Sequence, residues 1–197
     1  MIASGILCAQ QANFKLQSGD LLFFEKTSDG LSSAISDVTQ TGKKHNFSHI
    51  AIVELQNNIL YVWHASSENG VCYQKLSELQ ELDERVLHVF RLKKQYSNTI
   101  DAALKRAKTL LGEPYDTTYI LESKGYYCSE YIHDIFASDS IFTMQPMTFK
   151  EKNSDNFHPT WVAYYERLGI EIPEGKPGCN PNGMAASEKL NYLGVIR

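Results

Sequence analysis

Three residues of this chain have the types that thiol chemistry needs: Cys128, His49 and His64. Cys128 lies in "KGYYCSEYIHDIF", residues 124–136. Gly125, Tyr126 and Tyr127 read as a loop feeding a helix, and Ser129 and Glu130 suit a first turn. A helix that starts at Cys128 points its first N–H groups at the thiol, and its positive end favours thiolate. His133 is five residues on, far round the helix at about 100° per residue. A base for Cys128 must therefore come from another element.

His49 and His64 are joined by arithmetic on a hairpin. "FSHIAIVEL" and "ILYVWHA" are strand-like runs separated by Gln56, Asn57 and Asn58. A turn at Gln56–Asn57 pairs 49 with 64, and a turn at Asn57–Asn58 pairs 51 with 64. Either register sets both histidines on one face, as direct or diagonal neighbours within roughly 8 Å. With the Cys128 helix packed over that face, the three make a nucleophile, a base and an orienting group. Each has a plainer reading. A cysteine in an apolar helix is more often inert core, and a histidine at a strand end is usually a surface or capping residue. The two histidines are also half of a metal site, but no carboxylate or thiolate completes the spacing, so no metal or cofactor is expected. His45, His88, His133 and His158 are read as structural, Cys72 as packed in an alternating strand, and Cys179, in the Pro/Gly loop, as incidental or bordering the cleft.

The elements around these residues are readable. "SGDLLFFEK" is a turn and a buried strand, Leu21 to Glu25. Leu31, Ala34, Ile35 and Val38 have helical spacing. "GVCYQKL" and "RVLHVFRL" are further strands. "SNTIDAALKRAKTLLGEPY" is the clearest helix. Ser97, Asn98 or Thr99 can cap it, Ile100, Ala103, Leu104, Ala107, Leu110 and Leu111 form its stripe, and Gly112 and Pro114 stop it. The Cys128 helix runs to about Phe136, with Ile132, Ile135 and Phe136 inward, and "TWVAYYERLG" is a third helix. "IPEGKPGCNPNG" is a Pro/Gly-rich loop. Strands first and helices after predict an α+β fold with an antiparallel sheet.

Bulk properties narrow the function classes. The 197 residues, 43% hydrophobic and 21% charged, fit one soluble domain with a real core. We expect an N-terminal arm over 1–15 and a single domain over 16–197. The formal charge of −4 and scattered Lys and Arg argue against nucleic-acid binding. No apolar run is long enough to span a bilayer. Four cysteines, far apart and without a C-x-x-C pair, argue against a zinc ribbon, a redox motif or a dense disulfide framework. "MIASGILCAQQ" lacks the positive start of a full signal peptide. It reads as a signal remnant ending near Ala9, which favours export to the periplasm or cell envelope, against a frayed arm of a cytosolic protein. Leu7 sits where a lipoprotein signal with Cys8 would place a small residue.

The order of the residues carries a resemblance. The histidines precede the cysteine, the reverse of papain-like enzymes. "SGDLLFF", "FSHIAIV", "HASSENGV", "LGEPYD" and "YYCSEYI" resemble the circularly permuted branch of the NlpC-type papain-like cysteine hydrolases, the YiiX-like amidase family. The closing "IPEGKPGCNPNG" is similar too, so the likeness runs from about Leu16 to the end. It implies a permuted papain-like fold, with a barrel-like antiparallel sheet and the nucleophile helix packed against it. It assigns Cys128 as nucleophile, His49 as general base and His64 to the third catalytic position, where many relatives have Glu. A neutral His64 can fix the tautomer of His49, but it stabilises an imidazolium less than a carboxylate would. Glu68 is close enough in sequence to compensate. Tyr127 and Tyr115 are the expected cleft-lining, substrate-binding residues.

The resemblance implies a cysteine hydrolase that cleaves peptide amides, including cell-wall peptides such as peptidoglycan fragments, through a thioester. A second reading is a lipid acyl hydrolase or acyltransferase of the lecithin–retinol acyltransferase-like type. That group has an Asn-Cys-Glu-His stretch at the nucleophile, which "YYCSEYI" does not match. A third is a non-catalytic binding module on the same fold.

Overall fold

The computed structural model describes residues 14–26, 30–39, 41, 45–82, 85–121 and 123–196. The expected signal remnant, including Cys8, lies outside these, as does the rest of the expected N-terminal arm except for Phe14 and Lys15. Six strands form one antiparallel sheet: β1 (Leu21–Glu25), β2 (Phe47–Gln56), β3 (Ile59–Ser66), β4 (Gly70–Lys75), β5 (Leu87–Leu92) and β8 (Leu190–Ile196). Their spatial order is β4-β3-β2-β1-β5-β8. A two-stranded ribbon joins β6 (Gln145–Pro146) to β7 (Pro177–Gly178). The helices are α1 (Gly30–Val38), α2 (Leu76–Leu82), α3 (Ile100–Thr109), α4 (Cys128–Ile135), α5 (Pro159–Leu168) and α6 (Pro181–Ala185).

The β2–β3 hairpin turns at Asn57 and Asn58, with φ of 48° and 63°. Two positive φ values make the tight turn whose twist matches its strands, and Asn tolerates them. Gln56 then pairs with Ile59 and Ile52 with Trp63. This is the second of the two registers expected from the sequence.

The sheet separates two apolar clusters by simple alternation. On one face Leu21, Phe23, Ile50, Ile52 and Trp63 pack with Leu104 and Ala107 of α3 and Tyr131, Ile132 and Ile135 of α4. On the other face Leu22, Phe24, Ala51, Val53 and Val62 pack with Leu76 and Leu79 of α2. Leu60 of β3 and Leu193 and Ile196 of β8 join this second cluster. Strands from β3 to β8 thus share one cluster on this face, with α2 packed against it. The start of β1 is tied to β5 by buried Asp20, which accepts from Arg91 Nε at 2.6 Å and Nη2 at 2.8 Å.

Several details differ from the sequence reading. Strands do not end before the helices begin: β8 returns to pair with β5. No side chain caps α3, because a 3-10 turn at Lys94–Thr99 runs straight into it. Its stripe is buried from Ile100 to Leu110, but Leu111 is 51% exposed. Part of the Pro/Gly-rich segment is ordered as β7 and α6 and is pinned down. Buried Asn182 accepts from the Phe47 N–H at 2.7 Å and donates to Thr39 Oγ1 at 2.8 Å.

Candidate active site

The chain reaches Cys128 through a crossing that only glycine permits. Gly125 has φ of 103°, and a Cβ there would collide with the Pro114 carbonyl. Tyr126 N–H donates to that carbonyl at 3.0 Å. Tyr127 is the extended N-cap of α4, and its N–H donates to Glu130 Oε2 at 3.3 Å. Ser129 Oγ donates to the Cys179 carbonyl at 3.0 Å, which fixes the first turn of α4 to the closing segment.

α4 does not pack over the histidine face, as the sequence reading expected. Its body lies on the Ile50 and Ile52 face, while His49 and His64 share parity with Ala51, Val53 and Val62 on the other. The thiol meets the histidine strand at an opening in the sheet. Val53 N–H donates to Asp20 O, so odd residues of β2 turn their N–H groups toward β1 and even ones toward β3. The β2–β3 ladder ends at Ile52–Trp63. The Ile50 N–H, beyond that end, is on the side of the Cys128 thiol and favours its anion. Cys128 therefore sits in the gap where the two strands part, one residue along β2 from His49.

His49 Nε2 lies 2.9 Å from His64 Nδ1. Nδ1 of His49 has no hydrogen-bond partner among the described residues, and no hydrogen bond joins the His49 ring to the Cys128 thiol. His64 is buried, and its Nε2 faces Cys72 Sγ and Gln74 Nε2, each at 3.5 Å. The sequence reading missed Cys72 and Gln74 as neighbours of His64. Counting across the "SSENG" turn would have found them, since His64 pairs directly with Cys72. Glu68 is exposed in that turn and lines the same groove.

Burial decides the charges. It pushes the Cys128 thiol up to about 11, against the pull of the Ile50 and Ser129 N–H groups, the Ser129 hydroxyl and its own N–H. The sequence reading expected the helix terminus to lower that value; the terminus acts in that direction but is outweighed by desolvation. Burial, then His64 and Arg85, hold His49 well below the usual imidazole range. Both shifts favour the uncharged forms, a thiol and a neutral imidazole.

Two spaces flank this pair. A cavity of about 110 Å³ on the thiol side is lined by Ile35, Val38, Tyr115, Tyr127, Met147, Phe149, Trp161 and Cys179. A more polar groove of about 620 Å³ is lined by His49, His64, Glu68, Gln74, Arg85 and Tyr164. Ile35, Ser48, Tyr115 and Tyr119 border both. Tyr115 thus stands between the two spaces. Tyr127 is buried, and its hydroxyl accepts from the Cys179 N–H at 3.2 Å, so it forms a wall. Cys179 lines the cavity, the second of its two sequence readings.

The remaining histidines divide. His158 caps α5, its Nδ1 accepting from Thr160 N–H at 3.2 Å. His133 is in the last turn of α4. His45 and His88 converge on Glu25, at 3.4 and 2.7 Å from its Oε1. No described helix is long and apolar enough to cross a membrane.

Comparison with known proteins agrees with this architecture. Residues 15–194 match the model of a family described as permuted papain-like amidase enzyme, YaeF/YiiX, C92 family. The crystal structure of metalloprotein yiiX from Escherichia coli O157:H7 superposes with a TM-score of 0.73 at 24% identity, covering 91% of this chain and 97% of that one. At that identity the likeness speaks for the fold. No curated protein matches.

Proposed function

Because the chain belongs to the permuted papain-like amidase family, YaeF/YiiX, C92, we propose that it is a cysteine amidase with Cys128 as nucleophile, His49 as general base and His64 as orienting group. The observation that carries this reading is the Cys128 thiol at the β2–β3 gap, on the side of the Ile50 N–H and so next along β2 from His49, whose ring is linked to His64.

The direction of the hydrogen bonds constrains the mechanism. His49 must present a bare nitrogen to the thiol. Its Nε2 is engaged by His64, so the free nitrogen is Nδ1, and the proton must reside on Nε2 and point at His64 Nδ1. His64 then carries its own proton on Nε2, which needs an acceptor. The Gln74 carboxamide supplies one when its oxygen faces His64; the oxygen and nitrogen ends are interchanged by a simple flip. With this tautomer set, His49 Nδ1 takes the Cys128 proton as sulfur attacks an amide carbonyl. The backbone N–H of Cys128, in the unpaired first turn of α4, donates to the oxyanion. His49 returns the proton to the leaving amine, and water hydrolyses the thioester. The substrate's acyl side enters the apolar cavity, and its amine side leaves through the polar groove. Tyr115 contacts both sides.

Peptide amides, including cell-wall peptides, are the substrates this reading favours, with export as the matching location. The apolar lining beside the thiol favours a second reading, transfer or hydrolysis of lipid acyl groups. yiiX is described as a metalloprotein. In this chain the donor set that fits an ion lies outside the thiol site, at Glu25, His45 and His88, and no step above runs through it.

The test is a panel of peptide amides and acyl esters, with acid quench and mass mapping of the acylated peptide. Amidase action predicts turnover of amides and an acyl adduct on Cys128. Cys128→Ala should lose turnover while keeping the parent fold, since one small side chain replaces another. Turnover retained in that variant contradicts the nucleophile. An adduct from esters alone favours the lipid reading, and no adduct from any member favours a binding module.

A further inference from the structure

Outside the thiol site, the described residues hold one grouping of ligand-type side chains whose donor atoms all lie within 4.8 Å of one another: Glu25, His45 and His88. They come from three segments. Glu25 ends β1, His45 precedes β2, and His88 lies in β5. A register shift between Phe24 and Glu25 re-aims the Glu25 side chain, as bulges do. Its Oε1 lies 2.7 Å from His88 Nε2 and 3.4 Å from His45 Nδ1.

These separations have the scale of a metal's ligand shell. Zinc–nitrogen and zinc–oxygen bonds of about 2.0–2.1 Å set donor atoms about 3.3 Å apart at tetrahedral angles. Two imidazoles and one carboxylate are a common zinc donor set. The buried ligand also has an outer partner. His88 is 1% exposed, and its Nδ1 meets Tyr192 Oη at 3.1 Å. A proton on Nδ1, donated to that hydroxyl, leaves the Nε2 lone pair for a cation, which is how outer partners orient metal-bound histidines. The side chains of Glu25 and His45 are 37% and 34% exposed, so an ion can enter from solvent and keep a fourth position for water.

We propose that Glu25, His45 and His88 form a binding site for a zinc-type divalent cation, oriented by Tyr192. Binding takes the Nε2 lone pair of His88, so the ring's single proton moves from Nε2, where it faces Glu25, to Nδ1, where it is donated to Tyr192 Oη. The ion staples the segment that enters β2 to β1 and β5. His49 is four residues further along that segment, so the site steadies the strand that carries it. The role is structural, and it stands whether or not the thiol chemistry proposed above is correct.

The test is Co²⁺ titration of the chelator-treated full chain, read by absorption, with Zn²⁺ competition and thermal unfolding alongside. The expected result is one equivalent of Co²⁺ with a nitrogen–oxygen spectrum and no thiolate-to-cobalt band, displaced by Zn²⁺, and a Tm raised by Zn²⁺. His45→Ala, at a partly exposed position that leaves the core intact, should lose stoichiometric binding and the Tm rise. Tyr192→Phe should weaken binding by about 10-fold. The proposal is overturned if the parent binds no stoichiometric ion, or if His45→Ala binds as the parent does. A thiolate band that disappears in Cys72→Ala also overturns it, by placing the ion beside His64.

Discussion

His49 Nε2 and His64 Nδ1 are 2.9 Å apart, so one proton serves both nitrogens and the tautomer of each ring sets that of the other. Where a carboxylate would accept from His49 without ambiguity, His64 does so only if its own proton is on the far side. Gln74 is the group placed to hold it there.

Substitutions at this relay should therefore separate by what they accept. His64→Glu should retain or raise kcat/KM, because a carboxylate accepts from His49 Nε2–H and stabilises the imidazolium. Gln74→Leu should lower kcat/KM by about 10-fold or more, since the His64 Nε2 proton exchanges a carboxamide acceptor for weaker ones such as the Cys72 sulfur. Steady-state kinetics on folded variants checks both. A dead His64→Glu enzyme, or a Gln74→Leu enzyme at parent activity, rules out the orienting role.

The pH profile follows from the two buried groups. His49 is held below the usual imidazole range of 6.5, first by burial and then by His64 and Arg85. Activity needs the neutral ring, so kcat/KM should rise with pH through a midpoint below 6.5. The thiol keeps its proton up to about 11. The plateau should then extend from roughly pH 7 to roughly pH 10 before any fall. An acid limb centred above pH 7 would conflict with this assignment of the base.

Glu130 links stability to pH near the nucleophile. Burial raises its carboxyl from 4.5 to about 7. Between those values the folded chain holds a proton that the unfolded chain has released. Its contribution is fully present below pH 4.5 and is lost as pH rises through about 7. Glu130→Gln keeps an acceptor for the Tyr127 N–H and removes the titration. The stability of the parent relative to this variant, from urea unfolding, should fall across that window and level off above it. A constant difference from pH 4.5 to 8 would contradict a buried, proton-holding Glu130.

How much of this is legible in the sequence depends on whether local rules or burial decide it. The pairing of His49 with His64 is local: Asn57 and Asn58 set the turn, and strand alternation does the rest. The helix at Cys128 is likewise marked by its own first turn. The face on which α4 packs is not local, because nothing in "FSHIAIVEL" shows that β3 leaves β2 after Ile52. The thiol's proton affinity depends on the same enclosure, so a rule based on the helix terminus alone points the wrong way. β8 and the Glu25–His45–His88 cluster are hidden for a related reason. Both depend on long-range pairing to β5, and the cluster's histidines lie 43 residues apart in sequence.

The activation of Cys128 by His49 is read most directly as the iodoacetamide labelling rate of Cys128 at about pH 7.5, resolved by mass spectrometry, in the parent and in His49→Ala. Cys179 serves as the internal reference, since Cys72 faces His64. General-base activation predicts Cys128 labelling about 10-fold or more faster in the parent, with the Cys179 rate unchanged. Equal Cys128 rates in two folded proteins would contradict it.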